Sequence, residues 1–399
     1  MRKYTLLYIM ALFTALSAMA KVTVNSPKTE NLCNPLGLDT SAPHFSWQIT
    51  SDKKDVVQTA YEILVASSVE NLNADNGDLW SSGKVESSEQ LWITYAGKPL
   101  KSNQRAYWKV RIHTNKGKSE WSQPQEFGIG LLKETHWSGR WIGLERLMPG
   151  EAHGLHSRLA ARYLRKEFDL GDKEIKRATA HVSGLGLYEL YINGKEIGSS
   201  EVLKPVPSDY RRTVYYNSYD VTDAVAQKTA IGIVLGNGRM FTMRQHKPYK
   251  SPAFGFPKCR INIIVEYADG SKQTLKSDES WKVTADGPIR ANNEYDGEEY
   301  DARMELGSWS TVGYDDSKWL KAERTDIPYG TLRGQMTPNM TEEKLAIKPV
   351  VSIVDGKTII DFGQNIAGWI SFIPRGNAGD TIKIKSIKKE MVKSLKKTR

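Results

Sequence analysis

At 399 residues the chain has room for two or three domains, and its 39% apolar and 10% aromatic residues are enough for real cores. The formal charge of +10 would suggest a nucleic-acid or anionic-membrane partner, but residues 386–399 with Arg2 and Lys3 carry most of it and leave +3 over residues 21–385, so no nucleic acid is expected. Cys33 and Cys259 show no CxxC or Cys/His spacing, which argues against a disulfide framework or structural zinc and reads as two isolated buried thiols.

In chain order, residues 1–20 come first: Arg2 and Lys3, an apolar stretch over residues 6–16, and Ala18-Met19-Ala20 form an export signal cleaved before Lys21. The apolar stretch is shorter than the ~20 residues that span a bilayer. No transmembrane segment is expected after cleavage, and the protein is expected to be periplasmic or extracellular. Residues 21–132 read as a small all-β sandwich, because Phe45-Ser46-Trp47-Gln48-Ile49, Ala60-Tyr61-Glu62-Ile63-Leu64-Val65 and Tyr107-Trp108-Lys109-Val110-Arg111-Ile112 alternate between polar turns. Trp47, Tyr61, Trp80, Trp108 and Trp121 fit core aromatics better than a sugar-stacking platform.

Residues 133–335 form a larger β domain. Asn193-Gly194 supplies the two positive φ angles of a type I′ hairpin turn, and Asp269-Gly270 repeats the device. A short capped turn over residues 219–225 precedes a buried strand at residues 230–236. Residues 336–349 read as a polar linker. A further β segment opens at residues 350–385, and residues 386–399 form a basic, alternation-poor tail that looks foreign to it.

The hairpin of residues 185–198, Asp209-Tyr210-Arg211, Tyr219-Asp220-Val221-Thr222, Leu235-Gly236-Asn237-Gly238, Ser277-Asp278-Glu279-Ser280-Trp281, residues 295–303 and residues 361–369 occur in the order seen in bacterial α-L-rhamnosidases of glycoside hydrolase family 78, which the chain resembles over residues 25–385. Asn34-Pro35-Leu36-Gly37 and Pro43-His44-Phe45-Ser46-Trp47 resemble that family's immunoglobulin or fibronectin III-like module. The resemblance implies an all-β chain of tandem sandwiches: immunoglobulin/fibronectin III-like, then jelly-roll-like, then the start of a third. It also implies a role in the inverting hydrolysis of terminal α-L-rhamnose from glycans or glycosides. That chemistry needs an acid and a base carboxylate ~6.5–9.5 Å apart. In the family these sit on a downstream (α/α)6 barrel, which this sequence lacks, so no catalytic residue is carried over. The alternatives are a non-catalytic carbohydrate-binding or docking module for rhamnosylated glycans and an inactive gene fragment. Oligomeric state is left open.

The best internal candidates for chemistry are the acidic cluster Asp296, Glu298, Glu299 and Asp301 beside Gly297. Hard oxygen ligands at Asp296, Glu298 and Asp301 could hold Ca²⁺, although the spacing matches no dedicated calcium loop and a solvated loop with Asp301 paired to Arg303 fits equally. No cofactor is otherwise required. Tyr210, Asn237 and Tyr300 complete the candidate sugar contacts. Pro205-Val206-Pro207-Ser208-Asp209-Tyr210 departs from the family's Pro-Gly-Trp-Thr-Asp-Tyr and so lacks its aromatic stacking face. The histidines, His153 and His156 included, show no metal spacing.

Overall fold

The computed structural model describes residues 22–152, 158–241, 254–293, 297–326, 328–369, 371, 373 and 377. The expected export signal, His153, His156, Asp296 and the basic tail therefore lie outside the described residues. The chain divides into two compact units, Met1–Thr341 and Glu342–Arg399.

The first unit begins with a sandwich built as the alternation dictates. A three-stranded antiparallel sheet (Thr23–Thr29, His44–Thr50, Ile93–Thr94) faces a five-stranded one centred on Gln58–Ala66 and Arg105–Thr114. Inward positions bring Phe45, Trp47, Ile63, Val65, Trp108, Val110 and Phe127 into one core, with the Phe45 and Trp108 rings 4.4 Å apart. The Trp47 indole N–H donates to Gln58 Oε1 at 3.0 Å, which satisfies the polar end of a buried ring. Trp121 packs at the margin instead, under the Arg111 guanidinium at 4.3 Å.

The second sandwich pairs a six-stranded sheet with a seven-stranded one. Leu187–Ile192, Lys228–Gly236 and Arg162–Asp169 lie side by side in the first, and Lys258–Tyr267, Ile175–Leu185 and Thr213–Asp220 in the second. Period-two burial places Leu190, Ile192, Ile231, Ile233 and Leu235 against Ala178, Ala180, Val182, Ile261, Ile263 and Val265. The Asn193-Gly194 turn takes positive φ at both residues (50° and 82°) and joins Leu187–Ile192 to Lys195–Ile197 with Ile192 opposite Lys195, as a type I′ turn requires. The Asp269-Gly270 turn differs: only Gly270 has positive φ, Gly270 N–H donates to Tyr267 O and Tyr267 N–H to Ser271 O. This is the longer turn-plus-bulge connection, and the Asp269 side chain stabilises it by accepting from Ser271 N–H at 2.8 Å.

Two further expectations are corrected. Cys33 is exposed in the loop that follows the Thr29–Leu32 bridge, and only Cys259 is buried, where burial pushes its thiol pKa up. The linker expected at residues 336–349 starts later, because Met340–Thr341 pairs with Glu201–Val202 and Gln335 and Asn339 are bonded into the second sandwich. Gln335 and Asn339 belong instead to a partly buried hydrogen-bond network. Asn217 Nδ2 donates to Gln335 Oε1 (3.1 Å), Asn339 Nδ2 to Glu201 Oε2 (2.9 Å), Tyr219 Oη to Glu201 Oε2 (2.8 Å) and Tyr188 Oη to Asn217 Oδ1 (2.8 Å).

The two sandwiches of this unit meet through polar groups. His181, fully buried, lies between Ser218 Oγ (2.8 Å) and Asn103 Oδ1 (3.0 Å). Arg105 reaches both Glu126 of its own sandwich and Asp220 of the next, and Leu131 N–H donates to Tyr216 Oη at 2.7 Å. A side chain at Gly130 would strike the Tyr216 hydroxyl, so close approach requires glycine there. The second unit contributes the hairpin Val350–Val354/Lys357–Asp361, turned by Asp355 and Gly356 with positive φ at both.

Candidate functional site

Of the sequence-predicted residues, Glu298 and Tyr300 lie on one hairpin, Ile289–Asn293 paired with Gly297–Tyr300, and Asp301 follows it directly. Its base is fixed by Asn237, which follows the strand Lys228–Gly236 and is almost wholly buried. Asn237 N–H donates to Asn292 Oδ1 at 2.6 Å, and its Nδ2 donates to Asn292 O (2.6 Å) and Leu159 O (2.8 Å). Asn237 Oδ1 and Asn292 Nδ2 are left buried with no hydrogen-bond partner among the described residues, a cost set against these three anchoring bonds. Asn237 is thus a clamp beneath the hairpin rather than an open sugar contact.

Glu298 stands opposite Asn292 on the exposed strand. Partial loss of hydration at the carboxyl, with the Glu189 charge second, raises its pKa above the ordinary carboxylate value. Glu189 lies on Leu187–Ile192 and accepts from Tyr191 Oη at 3.0 Å. Glu299 pairs with Arg158, and the half-exposed Tyr300 donates its hydroxyl to Glu305. Asp301 is differently occupied: Arg303 Nε (2.8 Å) and Nη2 (2.6 Å) bind both carboxylate oxygens and hold its pKa down at about 2. Among the described residues no three carboxylate, histidine or cysteine side chains are gathered to hold a metal ion. Asp296, the third of the expected calcium ligands, lies outside the described residues.

Tyr210 takes no part in the rim. Its ring is buried with Trp141, Val214 and Met240, stacked edge-on by Phe254 at 5.3 Å. Glu189 and Asn292 were not singled out in the sequence. Glu189 is legible only as an outward position of an alternating strand, and Asn292 carries no local signal at all. An open cleft of about 320 Å³ lies elsewhere, lined by Ser138, Arg140, Lys276, Asp278, Glu279 and Ser280. Its charges are largely mutually paired, Arg140 with Glu279 at 3.0 Å and Asp278 with Lys166 at 3.2 Å.

Carboxylates can accept hydrogen bonds from hydroxyl groups, and an exposed phenol ring such as that of Tyr300 offers an apolar face. The fold itself is that of tandem β-sandwiches. Residues 24–133 match the family described as the Rha78A-like N-terminal immunoglobulin domain, residues 173–344 the α-L-rhamnosidase N-terminal domain, and residues 352–394 the bacterial α-L-rhamnosidase concanavalin-like domain. An α-L-rhamnosidase of Formosa agariphila is 36% identical over 376 residues, covering 88% of this chain and 39% of its own length. The solved α-L-rhamnosidase from Dictyoglumus thermophilum superimposes with a TM-score of 0.76 at 40% identity, covering 86% of this chain and 38% of that one. The Streptomyces avermitilis α-L-rhamnosidase complexed with L-rhamnose shares the fold, with a TM-score of 0.77 at 24% identity over 86% of this chain and 49% of that one. The chain belongs to the bacterial α-L-rhamnosidase family, as that family's N-terminal β-sandwich modules. It spans about 39% of the length of the Formosa relative.

Proposed function

We propose that this chain is the rhamnoside-engaging N-terminal portion of an α-L-rhamnosidase, which recognises terminal α-L-rhamnose on glycans or glycosides while bond cleavage belongs to other parts of the family architecture. The observation that carries the reading is the match of residues 173–344 to the α-L-rhamnosidase N-terminal domain, supported by 36% identity to a relative over 88% of the chain. The rhamnose-complexed Streptomyces relative supports rhamnose as the ligand class. The chemistry of the hairpin is consistent with recognition. Glu298, its pKa raised by lost hydration and by the Glu189 charge, and Glu189 itself both lie exposed on an open surface, where carboxylate acceptors suit hydroxyl-rich ligands. Calcium forms no part of this reading, since Arg303 holds both Asp301 oxygens. We place the mature protein outside the cytoplasm, on the strength of the positive, apolar and small-residue pattern of residues 1–20.

The hairpin is tested by titrating methyl α-L-rhamnopyranoside against the wild-type chain, Glu298→Gln and Tyr300→Ala. Loss of one charged acceptor or one stacking ring is expected to weaken binding by about threefold to tenfold, equivalent to about 0.7–1.4 kcal/mol. Binding unchanged in both variants contradicts the assignment of the hairpin.

A further inference from the structure

Far along the chain from that hairpin, the N-terminal sandwich displays an aromatic that the fold does not bury. Trp92, just before the strand Ile93–Thr94, is 54% exposed and its neighbour Leu91 65%. Its backbone is held at φ 56°, in the left-handed region that bulky side chains avoid. Such a conformation persists only where its surroundings impose it, and it points from an observed outlier toward function. Here the restraints are specific. Trp92 N–H donates to Ser46 Oγ at 3.2 Å, and the His44 ring meets the indole edge-on at 4.9 Å. His44 is itself fixed by Glu30, whose Oε1 accepts from the His44 backbone N–H at 2.8 Å and lies 2.8 Å from Nδ1. Glu30 too is left-handed, at φ 52°.

Two strained residues therefore converge to present one indole beside an imidazole and a carboxylate. The patch is small, with Ser88, Glu89 and Thr94 exposed around Leu91 and Trp92. A stable protein interface buries about 800 Å² on each partner, far more than two side chains provide. A single open aromatic face rimmed by hydrogen-bonding groups matches a small ring that is apolar on one side and hydroxylated at its edge. We propose that Trp92 and His44, the latter fixed from beneath by Glu30, form a second glycan-binding subsite, in which a pyranose stacks on the indole and directs a hydroxyl toward the exposed edge of the His44 ring. The ligand class rests on the rhamnoside reading above; the location does not.

Ligand-observed NMR with methyl α-L-rhamnopyranoside tests it on the wild-type chain, Trp92→Ala, Trp92→Phe and Tyr300→Ala. Because Trp92 is exposed, the alanine variant is expected to keep the wild-type melting temperature; Trp92→Phe retains a stacking face should it not. The expected result is two binding components in the wild-type chain, of which one is weakened at least about tenfold in Trp92→Ala, largely retained in Trp92→Phe and left intact in Tyr300→Ala, where the other weakens. Wild-type binding by Trp92→Ala overturns the subsite, and if Tyr300→Ala alone then loses binding, the rhamnoside reading survives without it. No binding by the wild-type chain overturns both. Sedimentation showing self-association that Trp92→Ala abolishes assigns the patch to a second copy and overturns the proposal.

Discussion

His181 shows how one side chain ties the stability of the first unit to pH. Burial, reinforced by the positive charge of Arg105, lowers its pKa from the ordinary 6.5 to about 3, so the folded protein holds a neutral imidazole between Asn103 and Ser218. A lowered histidine pKa means that the unfolded chain takes up the proton first. The stability associated with the neutral ring is complete above about pH 6.5 and is lost as the pH falls toward 3, amounting to on the order of 4 kcal/mol at the limit. Glu62 acts in the same direction but lower: its hydrogen bond from Arg111 holds it at about 2, so its contribution declines only below about pH 4.5. Between pH 6.5 and 4.5 the two are separable. His181→Gln, which can still bond Asn103 and Ser218, is expected to flatten the fall in melting temperature across that window. An unchanged pH profile contradicts a neutral buried His181.

At the level of elements, what the sequence revealed was local. Asn193-Gly194 announced its hairpin because both φ angles are set by the residues of the turn itself. Asp269-Gly270 carries a comparable turn dipeptide yet forms a longer turn, because the strand register places Glu266 opposite Lys272 and leaves four residues between Tyr267 and Lys272. Residues 336–341, the start of the expected linker at 336–349, were misread for a related reason. Gln335 and Asn339 look solvated in sequence, and only the tertiary fold sets them against Asn217, Glu201 and Tyr219. That network makes a definite prediction. Asn339→Ala leaves Glu201 and Asn217 short of a partner and is expected to cost about 1–3 kcal/mol in chemical denaturation, with the slope unchanged. A cost below about 0.5 kcal/mol, the level of an ordinary surface substitution, contradicts the network's structural role.

Over the whole molecule, ordered motifs and alternation made the tandem sandwiches and their family legible. The functional surfaces were only half legible. Glu298 and Tyr300 could be named from the acidic run, whereas Glu189, Asn292 and the Trp92–His44–Glu30 arrangement depend on contacts across tens of residues that no local pattern records. Tyr210 was misplaced because an aromatic in a family motif reads the same whether it lines a surface or a core. The two units also differ in how their apolar residues are used. In the second, Val350, Val351 and Ile353 are largely exposed on a two-stranded hairpin, a form that is marginal in water by itself. Limited proteolysis followed by mass spectrometry is expected to cut beyond residue 341 first and to leave a resistant fragment ending near Thr341, where pairing with Glu201–Val202 stops. Equal protection through residue 361 contradicts that order of stability.

The central claim is that these modules engage rhamnosides without cleaving them. It is tested most directly by calorimetric titration of the chain with an aryl α-L-rhamnoside, in which binding and turnover leave different traces. The account predicts saturable heats that return to baseline after each injection. Sustained heat flow from hydrolysis, abolished by Glu298→Gln, would contradict it and place the active centre on the hairpin itself.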